Sequence, residues 1–111
     1  MRGGATLSVT DLRGALRHRV DCTVRAEHLA RDSELSLSVR NISPSGLMIA
    51  DNPGLSRGER LILRLPKVGR VEGYCIWTVD SRAGFQFERL LRPAEFAALL
   101  DELQPGVRLR R

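Results

Sequence analysis

The chain is predicted to be an all-β domain, a small antiparallel barrel or sandwich of six strands with one C-terminal α-helix. Two observations carry that prediction. Six short stretches are apolar in strand fashion, most of them alternating with a period of two, and clusters of Gly, Pro, Asn, Asp and Ser separate them at roughly even spacing. One segment near the end instead has its apolar residues at intervals of three and four. The length of 111 residues and a hydrophobic fraction of 42% suit a single domain, which at this size buries roughly 65% of its unfolded surface.

Residues 1–19 open with Gly3 and Gly4, show no sustained apolar period, and carry Arg13, Arg17 and Arg19. A mobile basic arm is expected there. From Val20 alternation begins: Val20, Cys22, Val24 and Ala26 fall on one face, Asp21, Thr23 and Arg25 on the other. After a polar connection over 29–34, Leu35, Leu37 and Val39 alternate with Ser36, Ser38 and Arg40. A corner follows at Asn41, Ser43, Pro44, Ser45 and Gly46, and then a short strand from Leu47 to Ala50. Asp51, Asn52, Pro53 and Gly54 end that strand, and Gly58 precedes the next. Leu61, Leu63 and Leu65 share one face up to Pro66, which lacks the N–H that a ladder needs. Val71 to Val79 is the longest run and places Val71, Cys75, Trp77 and Val79 on one face. A turn over 81–84 leads into Phe85 and Phe87.

Pro93 suits the first position of a helix running to Leu103, where Phe96, Leu99, Leu100 and Leu103 form one apolar face. Pro105 and Gly106 stop it, and a basic tail over 105–111 closes the chain. The barrel with its helix therefore spans 20–104.

Several function classes are disfavoured by composition. No apolar run approaches the ~18 residues of a membrane span and no signal-peptide core opens the chain, so a cytoplasmic protein without membrane insertion is expected. Cys22 and Cys75 lack metal or redox spacing, and His18 and His28, the only histidines, have no nucleophile or metal partners at useful spacing. No enzyme, metal site or cofactor is expected. The net charge is +5, and 17 of the 18 basic residues are Arg, with Lys67 the exception. Guanidinium forks pair with phosphate, with the O6/N7 edge of guanine, and with base faces, so an anionic ligand is favoured.

Two motifs locate the site. Arg13 and Arg17 form Arg-x-x-x-Arg, a weak signal, since about 2.6 such pairs arise by chance in this composition. Asn41, Ser43 and Gly46 form [Asp/Asn]-x-Ser-x-x-Gly, for which chance gives only about 0.05. Its place at a strand-to-strand corner makes it informative: Asn41 offers an amide, Ser43 a hydroxyl, and Gly46 a backbone able to reach positive φ or admit a ligand closely.

With these motifs in this order, followed by Gly58, Trp77, Gly84 and Phe87, the chain resembles the PilZ domain family, receptors for the bacterial second messenger cyclic di-GMP. The resemblance covers nearly the whole chain and implies that the six strands form an antiparallel PilZ-like β-barrel with a C-terminal α-helix. It also implies that Arg13 and Arg17 clamp phosphate or stack on guanine while Asn41, Ser43 and Gly46 meet the ligand from the barrel. Arg19 stands where family members often carry an arginine, so the second motif arginine is Arg17, Arg19 or both. The resemblance thus implies a receptor that binds cyclic di-GMP without altering it, rearranges its N-terminal arm, and signals to an unidentified effector protein. An adaptor of the same fold that binds protein and no nucleotide is the alternative. A basic barrel for single-stranded nucleic acid is disfavoured because aromatic residues make up only 5%.

Overall fold

The computed structural model describes residues 17–103. They form a closed antiparallel barrel of six strands in the order β1-β2-β3-β6-β5-β4, with β1 at His18–His28, β2 at Ser33–Ser43, β3 at Gly46–Ala50, β4 at Arg60–Leu65, β5 at Gly69–Val79 and β6 at Arg82–Phe87. A 3-10 turn, Leu29–Arg31, joins β1 to β2, and the helix α1, Pro93–Leu103, follows β6. The expected fold class is found. β1 begins at His18, two residues ahead of the start that alternation indicates. Arg13, the rest of residues 1–16 and the tail from 104 lie outside the described residues.

The inward positions are those of the period-two pattern. Val24, Ala26, Leu37, Val39, Leu61, Leu63, Val71 and Ala83 are each at most 2% exposed. Pairing of Arg25, Ala26 and Glu27 of β1 with Arg64, Leu63 and Ile62 of β4 closes the barrel. Each fully buried Leu or Val of this set contributes about 1.5–3 kcal/mol of transfer free energy. Phe96 and Leu99 of α1 are buried with this core, and Leu100 and Leu103 pack partly against it.

Helix α1 begins through its own residues. Glu95 reaches back to accept the backbone N–H of Arg92 at 2.9 Å, half of a capping box, and also accepts from the guanidinium of Arg89. Elsewhere Glu59 joins two connections: it accepts from the backbone N–H of Ser56 at 2.7 Å, meets Nε2 of buried His28 at 2.5 Å, and pairs with Arg31.

The cross-strand register shifts at three places; the shift on β1 between Arg19 and Cys22 leaves the alternation of β1 intact, whereas those on β2 and β5 break alternation and matter for the site. On β2 the pairing is regular at Val39 with Ile49 but resumes as Asn41 with Met48, leaving Arg40 as an extra residue. On β5, Cys75 faces Phe85 and then Trp77 faces Gly84, leaving Ile76 as the extra residue. Each β-bulge shifts the following residues to the opposite face. The expectation that Trp77 shares the inward face of Val71 and Cys75 is therefore corrected: Trp77 faces outward.

Three carboxylates set an acid limit on the fold. Glu95 is held at about 2, first by the hydrogen bond from Arg89 and then by the Arg92 N–H. Glu59 is lowered chiefly by the bond to His28, and Glu34 chiefly by the bond from Arg25. A depressed folded-state value means stability that is complete above the ordinary carboxylate range and is lost as pH falls through the folded value. The midpoint of thermal unfolding should therefore hold from pH 7 to 5 and decline steadily between pH 4.5 and 2. The Glu95→Gln variant should show a shallower decline in melts followed by circular dichroism.

Candidate functional site

The two bulges bring one row of residues to the outer surface across five strands. Arg19 of β1 faces Asn41 of β2, Asn41 faces Met48 of β3, Met48 faces Gly84 of β6, and Gly84 faces Trp77 of β5. The neighbouring row on the same face reads Ser43, Gly46, Gln86 and Tyr74. Between them, Ile42, Leu47, Phe85 and Cys75 form the inward row and bind this surface to the core.

A cleft of about 70 Å³ lies on this surface, and its lining includes Met48, Gly84, Gly46, Trp77, Asn41, Ser43, Ser45 and Gln86. Arg17 also reaches it. Trp77 lies directly on Gly84: a Cβ built on that glycine would fall 2.1 Å from the indole Nε1. Gly84 is buried for this reason although it faces outward. The half-buried indole is a flat apolar wall suited to stacking a planar ligand.

At the corner, the Ser43 hydroxyl oxygen accepts the Ser45 N–H at 3.2 Å and lies 3.1 Å from the Ser45 hydroxyl. This side-chain turn fixes Pro44 and Ser45, whose carbonyls accept the N–H groups of Leu91 and Phe87 at 2.9 and 2.8 Å. Ser43 is thus a buried residue that shapes the corner as well as lining the cleft. Asn41 is half-buried, and its amide makes one hydrogen bond among the described residues, a 3.7 Å contact to Met48 Sδ.

Gly46 meets a different need from the one its position in a turn suggests. It is the first residue of β3 and is not among the glycines with positive φ, which are Gly54, Gly58 and Gly69. A Cβ there would lie 2.1 Å from the carbonyl oxygen of Phe85. Glycine is required because β3 and β6 approach so closely at the corner.

Away from the cleft, many arginines are tied to carboxylates: Arg25 to Glu34, Arg40 to Asp21, Arg60 to Glu72, and both Arg64 and Arg70 to Glu27, while exposed Arg57 and Arg82 have no carboxylate partner among the described residues. Arg17 and Arg19 are exposed, and among the described residues neither guanidinium has a carboxylate partner. Uncompensated positive charge therefore stands at the rim of a cleft with an aromatic wall and amide and hydroxyl groups.

Of the sequence-predicted residues, Arg17, Asn41, Ser43 and Gly46 come together at this cleft, and Arg19 stands in register beside Asn41. Ser45, Met48 and Gln86 also line the cleft but are not defining positions of either motif. The signal for Gln86 was its place one residue from Phe85 in an alternating strand, which sends it outward.

The fold is a six-stranded closed antiparallel barrel with a terminal helix and a polar cleft at its β2–β3 corner. The PilZ domain family model matches residues 13–103, and the chain belongs to the PilZ domain family, whose known members include cyclic di-GMP receptors and effectors. A comparison with curated proteins finds no matching sequence. Among solved structures, the chain is similar to the Bacillus subtilis inhibitor of motility (MotI/DgrA), with 20% identity, a TM-score of 0.57, and coverage of 86% of this chain and 52% of that one. It is also similar to the PilZ domain with c-di-GMP of YcgR from Escherichia coli, at 17% identity and a TM-score of 0.52, covering 85% and 94%. A third similar structure is the K. pneumonia MrkH-c-di-GMP complex, at 16% identity and a TM-score of 0.55, covering 83% and 52%. The chain spans about half the length of the Bacillus and Klebsiella chains. PilZ domains are receptor and adaptor domains rather than enzymes. No helix among the described residues is long and apolar enough to cross a membrane.

Proposed function

We propose that this protein is a cyclic di-GMP receptor whose ligand lies on the outer surface of the barrel between Trp77 and the Asn41 to Gly46 corner. The observation that carries the reading is the pair of carboxylate-free guanidinium groups, Arg17 and Arg19, beside that cleft. Two phosphates need cationic forks, and two guanines need flat faces and edge partners. Arg17 and Arg19 supply the first, with Arg13 of the same motif as a further donor, while Trp77 and Asn41 supply the second.

The cleft is far smaller than the roughly 300–1,000 Å³ that encloses a drug-sized ligand. It supports one side of the ligand, and the segment carrying Arg13 closes over the other. That closure is the conformational response. His18, between the two arginines, packs edge-on against Phe96 of α1 with ring centroids 5.3 Å apart. A change of chain path at Arg17 and Arg19 is passed to the helix through this contact, giving an effector protein an altered surface to read.

Isothermal titration with cyclic di-GMP, with GTP and a short single-stranded DNA as controls, tests the reading. Saturable binding to cyclic di-GMP alone is expected, and both Arg17→Ala and Ser43→Ala should weaken it strongly while circular dichroism remains native. A charge-assisted hydrogen bond is worth about 1.5–3 kcal/mol, so loss of Arg17 alone weakens binding by at least tenfold. Unchanged affinity in both variants would refute the site, and absence of binding in the parent protein would favour the protein-binding adaptor.

A further inference from the structure

We propose that Met48 is a peroxide-sensitive modification site that turns the receptor down: its thioether is oxidised to the sulfoxide in the folded protein, and the new oxygen captures the Asn41 amide that the ligand uses. This rests on the cyclic di-GMP reading above and adds a control to the same cleft.

Met48 is the only thioether among the described residues. It is half-buried, faces outward on β3 and lines the cleft, so a molecule as small as hydrogen peroxide reaches it from solvent. The other sulfur atoms are less available. Cys75 is buried, and burial pushes its thiol and that of Cys22 up, away from the thiolate form that reacts with peroxide. A thioether has no proton to lose, so it reacts wherever it is reached. In the step a sulfur lone pair attacks one peroxide oxygen. The S–O bond forms as the O–O bond breaks, sulfur is oxidised, and the second oxygen leaves as water with the proton of the first.

The structure supplies a receiver for that oxygen. Asn41 faces Met48 directly across β2 and β3, and its Nδ2 already donates to the sulfur at 3.7 Å. A thioether is a weak acceptor, and this is the one hydrogen bond of the Asn41 amide among the described residues. A sulfoxide oxygen projects from the sulfur and carries partial negative charge, so the same N–H exchanges a long, weak bond for a short, strong one. The unbranched side chain turns easily enough for either sulfoxide epimer to reach it. Oxidation thus withdraws the base-edge partner and places a polar atom in a cleft of about 70 Å³. Dedicated reductases return methionine sulfoxide to the thioether, which makes the change reversible.

The test treats the folded protein with hydrogen peroxide, locates oxidation by peptide mass spectrometry, and titrates cyclic di-GMP before and after. Met48 should gain one oxygen before Cys22 and Cys75 react, circular dichroism should stay native, and affinity should fall about three- to tenfold, the worth of one neutral hydrogen bond. Met48→Leu, a volume-conserving change, should keep its own untreated affinity under the same treatment. Asn41→Ala, weaker from the outset, should lose little more. Met48 remaining unoxidised while free N-acetylmethionine in the same solution is converted would overturn the inference. So would an oxidised, folded protein of unchanged affinity, an equal fall in Met48→Leu, or unfolding on oxidation. Failure of the untreated protein to bind cyclic di-GMP would instead refute the receptor reading, and mass spectrometry would still report whether Met48 is modified.

Discussion

Gly46→Ala should lower the stability of the barrel by on the order of 3 kcal/mol, the upper end of the cost of forcing a methyl into a packed site. The new Cβ would sit 2.1 Å from the Phe85 carbonyl oxygen and 3.2 Å from its carbon, so backbone rather than a flexible side chain must move. Separating β3 from β6 there strains the pairing of Gly46 with Gln86 and of Leu47 with Phe85. It also disturbs the bond from the Phe87 N–H to the Ser45 carbonyl. For a domain of this size the thermal midpoint should fall by roughly 15 °C. Gly54→Ala serves as the control: that glycine has a positive φ of 98° but open space around it, so only local backbone strain is added. Equal midpoints for the two variants would show that close approach at the corner is not what demands glycine at position 46.

The second large effect is on binding. Gly84→Ala removes no polar group and no charge, yet its Cβ would lie 2.1 Å from Nε1 and 2.4 Å from Cε2 of Trp77. The indole is half-buried at the surface, so it can swing away at modest cost, and the wall of the cleft goes with it. Cyclic di-GMP affinity should fall by about tenfold or more, since stacking of one base is worth about 1–3 kcal/mol. The melting temperature should change far less than in Gly46→Ala. Trp77→Ala should reproduce the loss of affinity without the clash. If both variants bind as the parent does, the ligand does not use this face of β5.

Much of this was legible in the chain. Leu61, Leu63 and Leu65, or Leu37 and Val39, can lie on one side of a strand only by facing inward, and the 3-4 spacing of Phe96 and Leu99 allows only a helix packed by one face. Asn41, Ser43 and Gly46 marked the corner because turn formers sit there between strand formers, a local property. The place of Trp77 was not legible. Alternation from Val71 through Cys75 assigns it inward, and a bulge at Ile76 leaves no mark in a run of β-forming residues. The same holds at Arg40, without whose extra residue Asn41 would face the core with Val39.

The sequence by itself determined the strands, the helix, the all-β class and the chemistry gathered at the corner, because period and turn chemistry act over a few neighbouring residues. Only the tertiary structure decided which side of the barrel that chemistry faces and what it faces with. Two bulges, set by pairing between strands distant in sequence, turn Asn41 and Trp77 onto one outer surface. Cross-strand register then places Arg19, Met48, Gly84 and Gln86 beside them, and register is a property of two strands that neither encodes alone.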